Sequence, residues 1–84
     1  MSRKPGKTSI TPTQAFGQAV RKHRQGAGLS QEELGFESEL DRTYISGIER
    51  GLRNPTLKTI WRLAAALKVP PDALIKRAVE IEGE

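Results

Sequence analysis

Helix-breaking residues recur along this chain at short intervals, and a helix-start signal follows most of them. The breakers are Gly26, Gly28, Gly51, Pro55, Pro70 and Pro71. Glycine tolerates the left-handed backbone at which many helices end, and proline lacks the N–H that a helix interior requires. No segment alternates polar and apolar residues with the period of two that marks a half-buried strand. The chain is therefore predicted to be all-α, with short helices and short connections.

Capping residues or prolines set the predicted start of each helix. These start signals are Thr11-Pro12, Ser30, Asp41, Thr56 and Pro71. Ser30 and Glu33 have the spacing of a capping box, in which each side chain satisfies a free backbone N–H of the other residue. The five predicted helices cover residues 12–26, 31–38, 42–50, 57 up to Pro70, and 71–80.

Apolar residues at helical spacing predict which helix faces are buried. In the fourth helix they are Leu57, Ile60, Ala64 and Leu67. The last helix has more apolar residues than one thin helix needs for its own core, and tryptophan is enriched at protein interfaces. We therefore expect a homodimer interface that contains Trp61, Leu74, Ile75, Ala78 and Val79.

The composition argues against several classes of protein. The chain has 84 residues, which indicates one domain, and it contains no cysteine and one histidine. A disulfide framework, a catalytic metal centre or a histidine-based triad is therefore not expected. No apolar run approaches the ~20 residues of a membrane span. We expect a cytoplasmic protein that is not an enzyme, with no signal peptide, metal, cofactor or small-molecule ligand.

The net charge of +4 conceals a segregated pattern. Residues 1–30 and 50–68 carry basic side chains and no acidic ones, whereas in residues 31–49 Arg42 is the single base among six acids. Basic clusters attract nucleic acid phosphates, although solvated helix faces would give the same composition. Residues 1–10 indicate a flexible basic arm ahead of a domain of residues 11–84. Such an arm is either simply disordered or reaches into a minor groove.

The second and third predicted helices have the layout of a helix-turn-helix, whose second helix lies in the major groove of DNA. Arginine can bind O6 and N7 of guanine, threonine can donate to a base or touch a thymine methyl group, and tyrosine has a long reach with a polar tip. Gly47 is expected to leave room for close approach of DNA to the helix. The predicted base-reading residues are Arg42, Thr43, Tyr44 and Ser46.

Polar and basic residues on either side of this helix are candidates for contacts with phosphates. Gln31 can place its amide and the N-terminus of the second helix against the DNA backbone. The basic residues that follow the third helix can hold the same strand further along. The predicted phosphate contacts are Ser30, Gln31, Arg50, Arg53, Asn54 and Lys58.

Four segments resemble the Cro/phage-repressor (XRE-type) helix-turn-helix family. Residues 28–34, 44–51, 54–57 and 63–69 read GLSQEEL, YISGIERG, NPTL and LAAALKV. Together with the intervening residues, the resemblance covers about 60 of the 84 residues in the order and spacing of the family. Residues 40–50, LDRTYISGIER, are similar to the recognition segment of restriction–modification controller proteins.

This resemblance implies a five-helix, lambda-repressor-like fold and a homodimer on a palindromic operator. It also implies phosphate contact by Gln31, base reading from positions 42, 43, 44 and 46, and an ion pair between Arg24 and Glu49. The chain departs from the family at two positions. Glu39 replaces the glycine or asparagine that is usual in the left-handed turn, at a cost on the order of 1 kcal/mol, and Gly35 replaces the usual alanine.

These observations favour a transcriptional regulator, encoded by a bacterium or a phage, that binds double-stranded DNA as a homodimer. Restriction–modification control is the narrower form of this hypothesis. The alternative is an antitoxin-like or adaptor module whose main partner is another protein, bound through the acidic and apolar residues 79–84.

Overall fold

The computed structural model describes residues 10–84 and contains five helices in this part of the chain. They are α1 (Pro12–Gly26), α2 (Gln31–Ser38), α3 (Arg42–Glu49), α4 (Leu57–Leu67) and α5 (Pro71–Glu82). No strand occurs among the described residues, so the predicted all-α class is confirmed. The third helix ends one residue earlier than predicted, and the last helix extends two residues further. Most of the predicted arm lies outside the described residues, and Ile10, its last residue, packs against the core.

Side chains cap the first four helices at the predicted positions. Thr11 and Ser30 each form a complete capping box, with Gln14 and Glu33 as the reciprocal partners. The backbone N–H of Thr43 donates to the Asp41 carboxylate at 2.7 Å, and that of Thr59 donates to the hydroxyl of Thr56. Removing such a cap typically costs about 1 kcal/mol. Pro70 precedes α5 without a side-chain cap, and Pro71 opens that helix.

The helices surround one hydrophobic core, which α1 crosses. Helix α1 packs against α5 and α3. Helix α2 contacts α3 and α4, and α4 contacts α5. The largest fully buried side chains are Val20, Leu34, Ile45, Ile48, Leu63 and Leu74. Two of them, Ile45 and Ile48, anchor the inner face of α3, so the opposite face of that helix is directed to solvent.

A glycine allows α1 and α3 to approach closely. A Cβ atom on Gly17 would lie 2.1 Å from the carbonyl oxygen of Ile48 and 3.0 Å from that of Glu49. Both atoms belong to the backbone of α3 and have no room to move aside. Only glycine fits here, and its absent side chain brings the backbones of the two helices into contact.

Both departures from the family lie at the turn between α2 and α3. Glu39 adopts the left-handed conformation, with φ 61° and ψ 37°, and the N–H of Leu40 donates to the carbonyl of Gly35 at 2.9 Å. A Cβ atom on Gly35 would lie 2.7 Å from the carbonyl oxygen of Leu40. Glycine at 35 weakens α2 by about 1 kcal/mol relative to alanine, and it also makes the space in which this turn closes.

Three residues face differently from the sequence expectation. Leu57 was expected on the inner face of α4, but it is the first residue of that helix and is 69% exposed. Leu74 and Ala78, expected at a dimer interface, are instead buried in the core of the chain itself. They lie four residues apart on α5, on the face that packs against α1 and α4, and therefore cannot contact a second copy without opening the domain.

Candidate nucleic-acid interface

The first turn of α3 presents the residues predicted to read bases. Arg42 and Thr43 are exposed, and Tyr44 and Ser46 are half-buried. Asp41 holds the backbone of this turn through its hydrogen bond to the N–H of Thr43. The positive end of the helix dipole lies at the same place, and it favours anionic ligands.

A buried carboxylate holds the other end of α3. The side chain of Glu49 is 3% exposed and that of Arg24 is 11% exposed. Arg24 Nε donates to Glu49 Oε2 at 2.6 Å, and Arg24 Nη2 donates to Oε1 at 3.0 Å. Gln31 Nε2 donates to the same Oε1 at 3.1 Å. The structure thus contains the ion pair that the resemblance implies, and the pair connects α1, α2 and α3.

This network also keeps its arginine charged. The hydrogen bond to the Glu49 carboxylate raises the pKa of Arg24 above its ordinary value, against the opposing effect of burial. The remaining donor, Arg24 Nη1, binds the carbonyl of Leu29 at 2.8 Å. Breaking the pair would leave a charge in a place where water solvates it poorly. The orientation of α3 is therefore fixed by polar contacts as well as by its apolar face.

The candidate phosphate contacts lie on both sides of α3. Ser30 is exposed at the start of α2, and Gln31, half-buried beside it, has one amide donor directed at Glu49. Arg50 Nε donates to the carbonyl of Ser46 at 3.4 Å, along the end of α3. Arg53, Asn54 and Lys58 are exposed residues of the connection to α4 and of its first turn.

Gly47 does not have the place that the sequence suggested. It was expected to leave room for DNA, but it is buried. A Cβ atom there would lie 2.7 Å from Arg53 Cγ, because the arginine side chain crosses α3 at this point. The guanidinium carbon of Arg53 lies 5.6 Å from the centroid of the Tyr44 ring. Helical periodicity gives no signal for this contact, since it depends on the path of the loop after α3.

Apolar side chains are exposed at several places outside α3. Of the five expected dimer residues, Trp61, Ile75 and Val79 are exposed, at 57%, 45% and 61%. Phe36 on α2 is 83% exposed, and no pattern in the sequence indicated this.

Residues 10–84 contain neither a candidate membrane span nor a candidate metal site. None of the helices in this range has the length and apolar character of a membrane span. No group of histidine, cysteine, aspartate or glutamate side chains in the same range is arranged to hold a metal ion.

Comparisons with known proteins show which family the helix pair α2 and α3 belongs to. A helix-turn-helix family profile matches residues 20–74. The control protein C.BamHI of Bacillus amyloliquefaciens is 51% identical over 61 residues, which cover 71% of this chain and 75% of that protein.

Solved structures agree with this match. The restriction–modification controller protein C.AhdI from Aeromonas hydrophila superimposes with a TM-score of 0.73 at 50% identity, covering 74% of this chain and 94% of that one. The controller protein C.Esp1396I, solved as a tetramer with its natural 35-base-pair operator, superimposes with a TM-score of 0.81 at 32% identity, covering 90% and 100%. The chain therefore belongs to the XRE-type helix-turn-helix family of DNA-binding transcriptional regulators, and restriction–modification control proteins are among its relatives.

Proposed function

We propose that this protein binds a palindromic operator as a homodimer and reads its sequence with the first turn of α3. One observation carries the proposal: α3 is held at Glu49 by two polar partners while Arg42 and Thr43 at its other end are exposed. A helix fixed in this way presents its first side chains in a defined direction. Base edges are recognised through directional hydrogen bonds, so a preset direction favours sequence-specific binding.

Each residue of this turn has a distinct role in the proposal. Arg42 binds O6 and N7 of a guanine through its guanidinium group, and it is the single base among the acids of residues 31–49. Thr43 and Ser46 offer hydroxyl groups, and the methyl group of Thr43 can also contact thymine. Tyr44 is half-buried, so only its outer edge is available to DNA.

The phosphate contacts supply affinity without sequence information. Ser30 and Gln31 approach the backbone from the start of α2, and Arg50, Arg53, Asn54 and Lys58 approach it from the far end of α3. The acidic residues between these groups disfavour any DNA path across α2. The duplex is thus confined to α3 and its two flanks.

The homodimer forms through α4 and α5 in this proposal. Trp61, Ile75 and Val79 expose apolar surface on these two helices, which pack against each other. A second copy that covers them would present a second α3 to the next major groove, about one helical turn away. The relative C.Esp1396I was solved as a tetramer on its operator, and dimers are the symmetric unit from which such assemblies are built.

The relatives suggest which genes are controlled. C.BamHI is a control protein, and C.AhdI is a restriction–modification controller. We propose that this chain likewise controls a restriction–modification system, acting in the cytoplasm and catalysing no reaction. Within residues 79–84, Ile81 lies in the core, so Val79 is the one apolar side chain that this segment leaves exposed for the alternative protein-binding module.

The proposal is tested by selecting bound duplexes from a random DNA pool. The selected sites should be palindromic, and affinity should exceed that for scrambled DNA by at least ~1,000-fold and fall steeply with salt. Arg42→Ala should weaken binding to the selected site by about 1–3 kcal/mol and relax the choice of base at one position. Arg77→Ala on α5 removes the same charge and should bind like the wild type. Weak binding without sequence preference would instead support the protein-binding alternative.

A further inference from the structure

Arg53 is attached to the loop after α3, but its side chain lies on α3 itself. Its guanidinium carbon is 5.6 Å from the centroid of the Tyr44 ring. The three atoms nearest to a Cβ on Gly47 are Arg53 Cγ, Cδ and Nε, at 2.7, 3.7 and 3.7 Å. The stem of the arginine thus crosses the helix where a side chain is missing, and its charged end lies over the aromatic ring one turn earlier.

The presence of glycine at position 47, inside a helix, needs a physical explanation. Glycine in a helix interior destabilises the helix relative to alanine. The backbone of Gly47 is helical and needs no positive φ, unlike Gly28 and Gly51. The three heavy atoms nearest to an added methyl group all belong to Arg53. The space at Gly47 that the Arg53 side chain occupies, which we call the seat of Arg53, therefore accounts for the glycine.

We infer that Gly47 and Tyr44 are positioning residues that fix Arg53 on the DNA-facing side of α3. An arginine side chain on a loop is otherwise mobile, and ordering it on binding DNA would weaken the affinity. The stem is confined at Gly47, and the guanidinium group is attracted to the face of the Tyr44 ring. The arginine is therefore held in place before DNA arrives. This inference rests on the proposed function, since it concerns how one phosphate contact is prepared.

The seat also changes the charge of the recognition surface. Arg42 is the single base within residues 31–49, where six side chains are acidic. Arg53 comes from outside that segment and adds a positive charge over the face of α3, beyond Arg50 at the end of the helix. The helix consequently meets the duplex with one cation at its first residue and another held over Tyr44.

A double-mutant cycle tests the inference with a duplex selected by the wild-type protein. Arg53→Ala should weaken binding about tenfold and reduce the salt dependence by about one counterion. Gly47→Ala should produce a loss of similar size, because the added methyl group displaces the arginine stem. The double variant should bind no more weakly than Arg53→Ala alone, since the methyl group then has no arginine stem to displace. Additive losses in the double variant would overturn the inference.

Gly26→Ala is the matched control. It also adds one methyl group to a helical glycine, and nothing lies within 4 Å of the new atom. This variant should bind DNA like the wild type and unfold at the same temperature or higher. A loss of affinity equal to that of Gly47→Ala would contradict the seat.

Tyr44 gives a second test that does not depend on the folding of Gly47→Ala. Tyr44→Phe keeps the ring, so substituting Arg53 in that background should cost the same tenfold in affinity. In a Tyr44→Leu background, the loss on substituting Arg53 should shrink to about twofold. An unchanged tenfold loss there would show that the ring does not hold the arginine. A wild-type protein that selects no duplex would refute the proposed function before any variant is made.

Discussion

The surface around α3 and the surface of α4 and α5 differ in how their side chains are held. On the first, Glu49 accepts hydrogen bonds from Arg24 and Gln31, and Arg53 lies over Tyr44. On the second, Trp61 and Val79 are apolar and mostly exposed. Polar groups fixed in direction suit a ligand of fixed geometry, whereas apolar area gains free energy from any surface that covers it. We therefore expect the first surface to provide selectivity and the second to provide association.

The strongest way to break the first surface is to remove its carboxylate. Glu49→Ala should lower the free energy of unfolding by about 3 kcal/mol, because Arg24 stays charged and poorly solvated with only the Leu29 carbonyl left as an acceptor. Urea denaturation followed by circular dichroism measures this loss. Glu80→Ala is the control, since it breaks the exposed pair with Arg77, and such pairs contribute about 0–1 kcal/mol. Equal losses in the two variants would remove the distinction between the buried and exposed pairs.

Substitutions on the second surface, that of α4 and α5, should weaken association of the homodimer rather than folding of the chain. Val79→Ser should weaken the homodimer by about 2 kcal/mol, because the change occurs in both copies of a symmetric interface and each copy loses apolar burial. Sedimentation equilibrium would then show a dissociation constant roughly 30-fold higher. Phe36→Ser, at an exposed apolar residue on α2, should leave the dimer intact. If only the Phe36 variant dissociates, the second copy binds at α2 instead.

The smallest expected effect on stability concerns the ends of α2 and α4, where two residues have the same backbone conformation. Glu39 follows α2 and Lys68 follows α4, and both have φ 61°. Replacing either by glycine should raise the free energy of unfolding by about 1 kcal/mol, because glycine adopts this conformation without a clash of Cβ. Thermal unfolding of the two variants checks this. A loss of stability at Glu39 would mean that its side chain contributes more than its backbone strain costs.

Much of the fold follows from short-range signals in the sequence. Ser30 and Glu33, or Thr11 before Pro12, act within one helical turn, so the starts of the helices can be predicted from neighbouring residues. The pair of Arg24 and Glu49 spans 25 positions, and here the resemblance to a known family supplied what spacing alone could not.

The predictions from the sequence were wrong where packing between distant parts of the chain determines which side chains are buried. Leu74, Ala78 and Ile81 lie on one side of α5, and Ile75 and Val79 lie on the other. Both sets have helical spacing, so periodicity cannot tell which set enters the core. The role of Gly47 was similarly hidden, because the side chain that covers it comes from a loop whose path no local pattern predicts.

The contact at Gly17 has a consequence for how the protein meets its ligand. Because the backbone of α3 rests against that of α1 at the Ile48 carbonyl, the C-terminal half of α3 cannot detach while α1 stays in place. The amide hydrogens of that half should exchange with solvent only through opening of the whole domain. The conformational entropy of the recognition helix is thus lost when the chain folds, and DNA meets a helix that is already ordered.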